Sequence, residues 1–243
     1  MFAEAVPYKL GGGFTDPLSA IGLILARSGS VQTFLGSCFL FRNPDFALTA
    51  AHCVADQDVS QLFVHFPRPQ GVTINVMSVL YAPRRGDLAA LRVDGRFGQE
   101  QFWGHVSNYS LGEEVFAYGF PEDVFGPDAR TPTPRLFRGN YQRYMLHRSH
   151  LGYEYNAGEL SFPAPGGLSG GPVFRPGAQV MVTGMVTENL YSTTVLEAHE
   201  SVEIDGARTA THYQRVITYG VALLLDSFED WFQEIGCVQQ PTP

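Results

Sequence analysis

Short runs of apolar residues, separated by Gly, Pro, Asn and Asp, recur along most of this chain. Beta-branched and aromatic residues are frequent in these runs, as on the half-buried surface of a pleated sheet. In the first half of the chain the runs predict strands near 19–27, 33–42, 46–49, 61–66, 73–81 and 87–93. In the second half they predict strands near 113–120, 135–147, 152–162, 172–174, 179–188 and 215–225. The pattern is that of an all-β protein.

One stretch near the C-terminus, DSFEDWFQEIG at 226–236, follows helical spacing instead. Its apolar residues fall on one face of a helix: Phe228, Trp231, Phe232 and Ile235. Ser227, followed three residues later by Asp230, predicts a capping box at the start, and Gly236 predicts the end. We expect this helix to be a structural clasp rather than a binding element.

Residues 190–213 separate the last two predicted strands and carry several acidic residues. A connection of this length inside a compact domain is usually functional or disordered. The pattern therefore predicts a long insertion between two strands at this point, either functional or disordered.

Composition narrows the function classes. Hydrophobic residues make up 44% of the 243-residue chain and the formal net charge is −8. An acidic chain is a poor partner for nucleic acid or for an anionic membrane surface, because both need a basic face. No apolar run reaches the length of a membrane span, and the N-terminal stretch MFAEAVPYKLGGG does not follow the pattern of a signal peptide. The sequence predicts a cytoplasmic protein without nucleic-acid or membrane partners.

Three segments carry the candidate chemistry: LTAAHCV at 48–54, RRGDLAALRV at 84–93 and PAPGGLSGGPVF at 163–174. Taken singly, His52 can be a core histidine, Asp87 a cap at the start of a strand and Ser169 part of a turn built for its glycines. Taken together they favour catalysis, because each residue lies at the edge of a buried run and rigid strands would fix its position. A histidine can accept the proton of a serine hydroxyl near neutral pH.

The motifs TAAHC, GDLAALRV and GLSGGPV resemble those of the chymotrypsin-like (trypsin-like) serine peptidases. VTGMVTEN at 182–189 is similar to the substrate-lining strand of that family, and YGVALLLDSFEDWF at 219–232 is similar to its last strand and terminal helix. The resemblance implies two perpendicular six-stranded β-barrels with the site in the cleft between them, followed by a C-terminal α-helix. It divides the chain into an N-terminal extension, a first barrel, a second barrel with the helix, and a tail or linker: 1–18, 19–110, 111–236 and 237–243.

By this resemblance, Ser169 is the nucleophile, His52 the general base and Asp87 the group that orients the imidazole. The N–H groups of Gly167 and Ser169 would form the oxyanion hole. The implied reaction is hydrolysis of peptide bonds in protein or peptide substrates. It needs no cofactor, and the histidines show no metal-ligand spacing such as HExxH.

The substrate-binding candidates also come from the resemblance: Phe162, Pro163, Thr187, Glu188, Asn189, Gly220 and Ala222. Members that cut after Arg or Lys carry an aspartate where this chain has Pro163. We therefore expect an uncharged residue before the cut. The alternative is that Glu188 and the acidic insertion attract basic side chains from outside the pocket.

Leu168 stands where zymogen-activated members carry an aspartate that pairs with a newly cut N-terminal amine. We therefore expect activity without N-terminal cleavage, as in intracellular, bacterial-type members whose oxyanion loop is ordered by neighbouring loops, oligomer contacts or a ligand. Cys38 lies about one place off the position that bridges to Cys53 in secreted members, which argues against a disulfide. Two other readings stay open: a peptidase-like binding or scaffolding domain, and a protease silent until a regulatory partner or fused domain orders its loops.

Overall fold

The computed structural model describes residues 17–67, 71–94, 110–122, 133–175, 181–204 and 207–238. The first β unit has these strands: β1 (Ile21–Ser28), β2 (Val31–Phe41), β3 (Asn43–Thr49), β4 (Leu62–Phe66), β5 (Val72–Asn75), β6 (Ser78–Tyr81) and β7 (Ala89–Arg92). The second unit has these: β8 (Glu114–Gly119), β9 (Arg135–Arg148), β10 (Glu154–Leu160), β11 (Pro172–Arg175), β12 (Met181–Ile204) and β13 (Ala207–Leu224).

The two units differ in strand number and in whether the strands close into a barrel. The first is a seven-stranded sheet in the order β5-β4-β1-β2-β3-β7-β6, and the second is a closed six-stranded barrel in the order β10-β13-β12-β11-β8-β9. The first unit has one strand more than expected, because the predicted strand over 73–81 is two strands. The Val76 N–H donates to Leu62 and the next N–H, that of Met77, donates to Arg92, so the chain changes partner strand at this point.

The prediction of a long connection between two strands at 190–213 is wrong, because both strands continue into it. Strands β12 and β13 pair from Tyr191 opposite Thr218 to Ile204 opposite Ala207, with an irregularity between Leu196 and Glu200. The ladder satisfies the backbone hydrogen bonds of a segment that a loop would leave to solvent. The acidic residues Glu197, Glu200 and Glu203 therefore lie on β12, and Asp205 lies outside the described residues.

The C-terminal helix forms, but it begins later than expected. Residues Leu225–Phe228 make a 3-10 turn, and α1 spans Glu229–Glu234. Ser227 lies inside that turn and does not cap α1, so the predicted capping box is wrong. Phe228, Trp231 and Phe232 of the predicted apolar face are buried, Ile235 is partly buried, and the ring of Phe232 lies 5.3 Å from that of Phe41 in β2. The helix thus closes against the first unit as a clasp.

The core reaches from one unit into the other. A single buried apolar cluster contains residues of β1 to β4, the ends of β12 and β13, and the helix. A second cluster fills the closed barrel on the side of residues 160–173. The three cysteines are buried and free, so Cys38 and Cys53 are not bridged. Within the described residues, no helix is long and apolar enough to cross a membrane.

Candidate active site

His52 and Asp87 form a closely coupled pair. His52 lies in a single 3-10 turn, Ala51–Cys53, directly after β3. Its Nδ1 lies 2.8 Å from Asp87 Oδ2, and its backbone N–H donates to Asp87 Oδ1 over 3.0 Å. Both carboxylate oxygens of Asp87 therefore hold the same residue. Asp87 is buried, whereas the side chain of His52 is 23% exposed.

Asp87 is positioned by a strained turn that precedes β7. Arg84 and Arg85 have φ angles of 57° and 59°, which side chains other than glycine rarely adopt. The carbonyl of Arg85 accepts a hydrogen bond from the N–H of Glu154, which ties the turn to β10. A Cβ on Gly86 would lie 2.6 Å from the ring of Phe228, so the clasp packs directly beside Asp87. The first unit, the barrel and the C-terminal segment all fix this carboxylate.

The surroundings of His52 shift its proton affinity. Burial lowers the pKa of His52, but the hydrogen bond to Asp87 and the neighbouring Cys53 raise it more, so that its pKa lies well above 6.5. The protonated imidazole is therefore favoured next to the carboxylate. This is the form that a general base reaches after it has accepted a proton.

The turn that carries Ser169 is fastened to the first unit through Ser37 of β2. The N–H of Ser37 donates to the carbonyl of Ser169 over 2.8 Å, and its Oγ donates to the carbonyl of Gly167 over 2.8 Å. The same Oγ accepts the N–H of Phe120 over 2.9 Å. A Cβ on Gly170 would overlap the carbonyl oxygen of Ser37, so only glycine allows this close approach.

The backbone around Ser169 has the features of an anion site. Gly167 has a φ of +84°, and its carbonyl points to Ser37 Oγ. Among the residues that the structure describes, the N–H groups of Gly167 and Ser169 donate to no protein acceptor. Two unpaired N–H groups on one turn can bind an oxygen that gains negative charge.

The hydroxyl of Ser169 donates to the carbonyl oxygen of Thr187 over 2.8 Å. Within the described part of the chain no hydrogen bond joins it to His52. Cys53, the neighbour of His52, contacts this turn, because its Sγ lies 4.0 Å from the carbonyl oxygen of Ser169. The turn of Ser169 therefore lies beside the segment that carries His52, with the serine hydroxyl bonded to β12.

Leu168 is completely buried in the apolar cluster of the closed barrel. It packs so closely on β8 that a Cβ on Gly119 would lie 2.8 Å from its Cδ1. The apolar side chain of Leu168 therefore holds this turn against the core of the closed barrel.

The predicted substrate-binding residues lie on two facing segments. Phe162 and Ala222 are buried and Pro163 is exposed. The carbonyl of Phe162 accepts the N–H of Gly220 over 2.7 Å. Facing them, the side-chain amide of Asn189 forms hydrogen bonds with both backbone groups of Ala164.

Thr187 and Glu188 have polar partners inside the second unit. The hydroxyl of Tyr155 donates to Thr187 Oγ1 over 2.9 Å. The Nε2 of His147 lies 2.5 Å from Glu188 Oε1, and the Nδ1 of His150 lies 3.6 Å from Glu188 Oε2. Burial raises the pKa of Glu188, but the hydrogen bond with His147 lowers it more, so the net shift is downward.

Sequence reasoning missed Ser37, Tyr155 and His147. The only signal for Ser37 is a polar residue inside the apolar run TFLGSCFLF, and Tyr155 and His147 have none. Among the described residues, no three His, Cys, Asp or Glu side chains lie together in a way that could hold a metal ion.

Comparison with known proteins places these features in context. A family model described as a trypsin-like peptidase domain matches residues 36–185. The fold is similar to that of the active form of Rv3671c protease from M. tuberculosis, with a TM-score of 0.62 and 18% identity over 93% of this chain and 85% of that chain. The inactive form of that protease gives a TM-score of 0.58 and 16% identity, over 90% of each chain.

The MamO protease domain from Magnetospirillum magneticum has a similar fold, with a TM-score of 0.61 and 12% identity over 88% of this chain and 96% of that chain. At these identities the similarity concerns the fold alone. No curated protein matches this chain.

Proposed function

This chain belongs to the trypsin-like peptidase domain family, and we propose that it is a serine endopeptidase that hydrolyses peptide bonds through an acyl-enzyme intermediate. The observation that carries the proposal is the hydrogen-bonded His52–Asp87 pair beside the turn of Ser169. A binding surface alone has no need of a buried carboxylate that holds a partly exposed histidine beside such a turn.

In this mechanism the Ser169 Oγ attacks the carbonyl carbon of the scissile bond while His52 accepts the hydroxyl proton. His52 then donates that proton to the leaving amine, and a water molecule hydrolyses the acyl-enzyme by the same steps. Asp87 keeps the Nδ1 proton of His52 in place and stabilises the imidazolium, which agrees with the raised pKa of His52.

The oxyanion that forms during attack is assigned to the N–H groups of Gly167 and Ser169. Their lack of protein acceptors in the described residues supports this role. Loss of one such donor typically lowers turnover by about 10²–10³-fold. The Ser37 hydrogen bonds to this turn supply the rigidity that such a site requires.

The substrate would bind as an added β-strand along the edge of β12 at Thr187, Glu188 and Asn189. The side chain before the cut would enter the space between this edge and the segment that includes Phe162 and Pro163, near Gly220 and Ala222. Burial of Phe162 and Ala222 supports an uncharged residue at that position. A cleavage profile dominated by Arg or Lys there would contradict the assignment.

Activity should not depend on a newly cut N-terminal amine, because Leu168 offers it no charge partner and lies in an apolar cluster. A partner, a ligand or ordering of neighbouring loops is a better candidate for control. The bond between Ser169 and Thr187 supports such a step, since the hydroxyl must turn toward His52 before it can react. Rv3671c protease has both an active and an inactive form. A cytoplasmic location stays a prediction from the sequence.

The same bond favours a second candidate function, a peptidase-like binding or scaffolding domain. In that case Ser169 would stay bound to Thr187 and the site would hold a peptide without cutting it. The two candidates differ in whether the serine can form a covalent bond.

A fluorophosphonate probe separates the two functions, because it labels only an activated serine. We expect labelling of the wild-type chain and none of Ser169→Ala or His52→Ala. The same chain with a blocked N-terminus should label equally well. Peptide binding without any labelling, with and without candidate partners, would favour the binding domain.

A further inference from the structure

The side chain of Asn189 links two segments that are distant in the sequence. The N–H of Ala164 donates to Asn189 Oδ1 over 2.6 Å, and Asn189 Nδ2 donates to the Ala164 carbonyl over 2.5 Å. One amide therefore satisfies both backbone groups of Ala164. Two short hydrogen bonds from one planar group fix its orientation as well as its position.

The edge of β12 next to Asn189 is open to an added strand. On one side, Asn189 pairs with Gly220 of β13. On the other side, the pairing with β11 reaches only Met185, and Val186 then pairs with the turn of Ser169 through Gly170 and Gly171. Beyond Val186 no strand of the described residues lies between this edge and the nucleophile.

A peptide added to this edge with its carbonyl at Ser169 would point one side chain between Asn189 and Ala164. That space is already closed on its inner side. Ala164 and Ala222 are buried, and a Cβ on Gly220 would lie 2.9 Å from the carbonyl oxygen of Phe162 and 3.3 Å from the Cβ of Ala164. The side-chain amide of Asn189 crosses the rest of this space to reach the backbone of Ala164.

The carboxylate of Glu188, next to Asn189 in the chain, already has partners. Both carboxylate oxygens of Glu188 face histidines, namely His147 at 2.5 Å and His150 at 3.6 Å. The carboxylate is therefore directed toward β9 and the turn that follows it. It is not the natural partner of a basic side chain placed between Asn189 and Ala164.

We propose that Asn189 closes the specificity pocket, so that this peptidase cuts after residues with small uncharged side chains: Gly, Ala and Ser. The inference rests on the proposed peptidase function and names its substrate class. A larger side chain can enter only if both bonds between Asn189 and Ala164 break. Their loss leaves a buried N–H and a buried carbonyl without partners, which is unfavourable.

The test compares cleavage of a peptide library by the wild-type chain and by Asn189→Ala, with Asn156→Ala as the matched control. Asn156 lies on β10, and its side chain donates to Ser227 at the surface. We expect the wild type and the control to cut after Gly, Ala and Ser. In Asn189→Ala the ratio of kcat/KM for Leu to that for Ala should rise at least about tenfold, since 1.4 kcal/mol is a factor of ten and a buried hydrogen bond is of that order.

Labelling with a small fluorophosphonate, which places no side chain in the pocket, should be equal in the wild type and in Asn156→Ala, and it shows whether Asn189→Ala still has an assembled nucleophile. If Asn189→Ala does not label, Asn189→Ser replaces it, because a serine side chain is too short to bond both groups of Ala164. Efficient wild-type cleavage after Leu or Phe, or an unchanged profile in a labelled variant, overturns the role of Asn189 alone. Absence of labelling in the wild type, both with and without candidate partners, overturns the peptidase function and this inference with it.

Discussion

The hydroxyl of Ser169 donates a hydrogen bond to the carbonyl oxygen of Thr187 over 2.8 Å. Thr187 is a bulged residue of β12, since Val186 pairs with Ala222 and Glu188 pairs with Val221. A bulge turns the backbone of one residue out of the ladder, which leaves this carbonyl free to accept the serine. A single hydrogen bond of this kind contributes a net free energy of about 1 kcal/mol, so a bond to His52 in its place would be of similar strength. Small changes near the bulge can therefore favour one arrangement over the other.

Replacement of Asp87 by Asn should reduce kcat by about 10⁴-fold, because an amide cannot fix the same tautomer of His52. Labelling by a fluorophosphonate and steady-state kinetics measure the effect. Asp58→Asn is the matched control, since Asp58 caps an exposed 3-10 turn away from the site. A loss of less than tenfold in Asp87→Asn would show that Asp87 does not orient the base.

The raised pKa of His52 predicts how activity changes with pH. The reaction needs the neutral imidazole, so kcat/KM should rise with pH and reach half its maximum above about 6.5, the ordinary value. A pH profile of kcat/KM measures this. A midpoint below 6.5 would mean that desolvation outweighs the Asp87 carboxylate.

The raised pKa of His52 also predicts how the free energy of unfolding changes with pH. A pKa raised by folding adds stability that is fully present below the unfolded value and is lost as the pH rises through the folded value. Urea titrations at several pH values should show this loss for the wild type and not for His52→Ala.

Substitution of Leu168 by Asp should destabilise the fold by more than about 3 kcal/mol, because it buries a charge without a partner and leaves a cavity. Leu168→Met keeps the volume and should cost less than about 1.5 kcal/mol. Urea unfolding of both variants gives the comparison. If Leu168→Asp were as stable as Leu168→Met, a cationic partner such as an N-terminal amine would have to be near.

Replacement of Ser37 by Ala should lower kcat while KM changes little. The Gly167 carbonyl and the Phe120 N–H lose their shared partner, so the oxyanion turn is less well held. Each buried group left unpaired also costs about 1–3 kcal/mol of stability. Ser60→Ala, on an exposed turn, is the control. A rise in KM with kcat unchanged would place Ser37 in substrate binding instead.

Replacement of Gly86 by Ala should destabilise the fold by about 1–3 kcal/mol and reduce kcat. The new Cβ would lie 2.6 Å from the ring of Phe228 and would push the clasp or the Asp87 turn aside. The double variant Gly86→Ala with Phe228→Leu makes room and should recover part of the activity. Full activity in the single variant would show that the clasp does not help to position Asp87.

The predicted chymotrypsin-like fold is confirmed by the similarity to Rv3671c protease, at a TM-score of 0.62 over 93% of the chain. The resemblance of three short motifs implied this fold, and the short apolar runs separated by turn residues predicted most of its strands. The family could also be identified from the sequence, because its motifs are short and contiguous around His52 and Ser169. The roles of these residues, and the domain boundaries, remain predictions.

Two local predictions were wrong for a common reason. Residues 190–213 were expected to connect two strands, and Ser227 was expected to cap the helix. The first expectation depended on where two apolar runs end, and the second on the spacing of Ser227 and Asp230, so both depended on local signals. The partner strand and the preceding 3-10 turn decided the outcome instead.

The sequence by itself determined the strand pattern, the apolar face of the helix and the residue types of the candidate site, because these signals are local. Only the tertiary structure decided what surrounds them. Ser37 reaches Gly167, 130 residues further along the chain, and Asn189 closes on Ala164 across a gap of 25. No periodicity encodes such contacts, because they form only after the two β units pack. The same packing buried Leu168 and turned Ser169 toward Thr187.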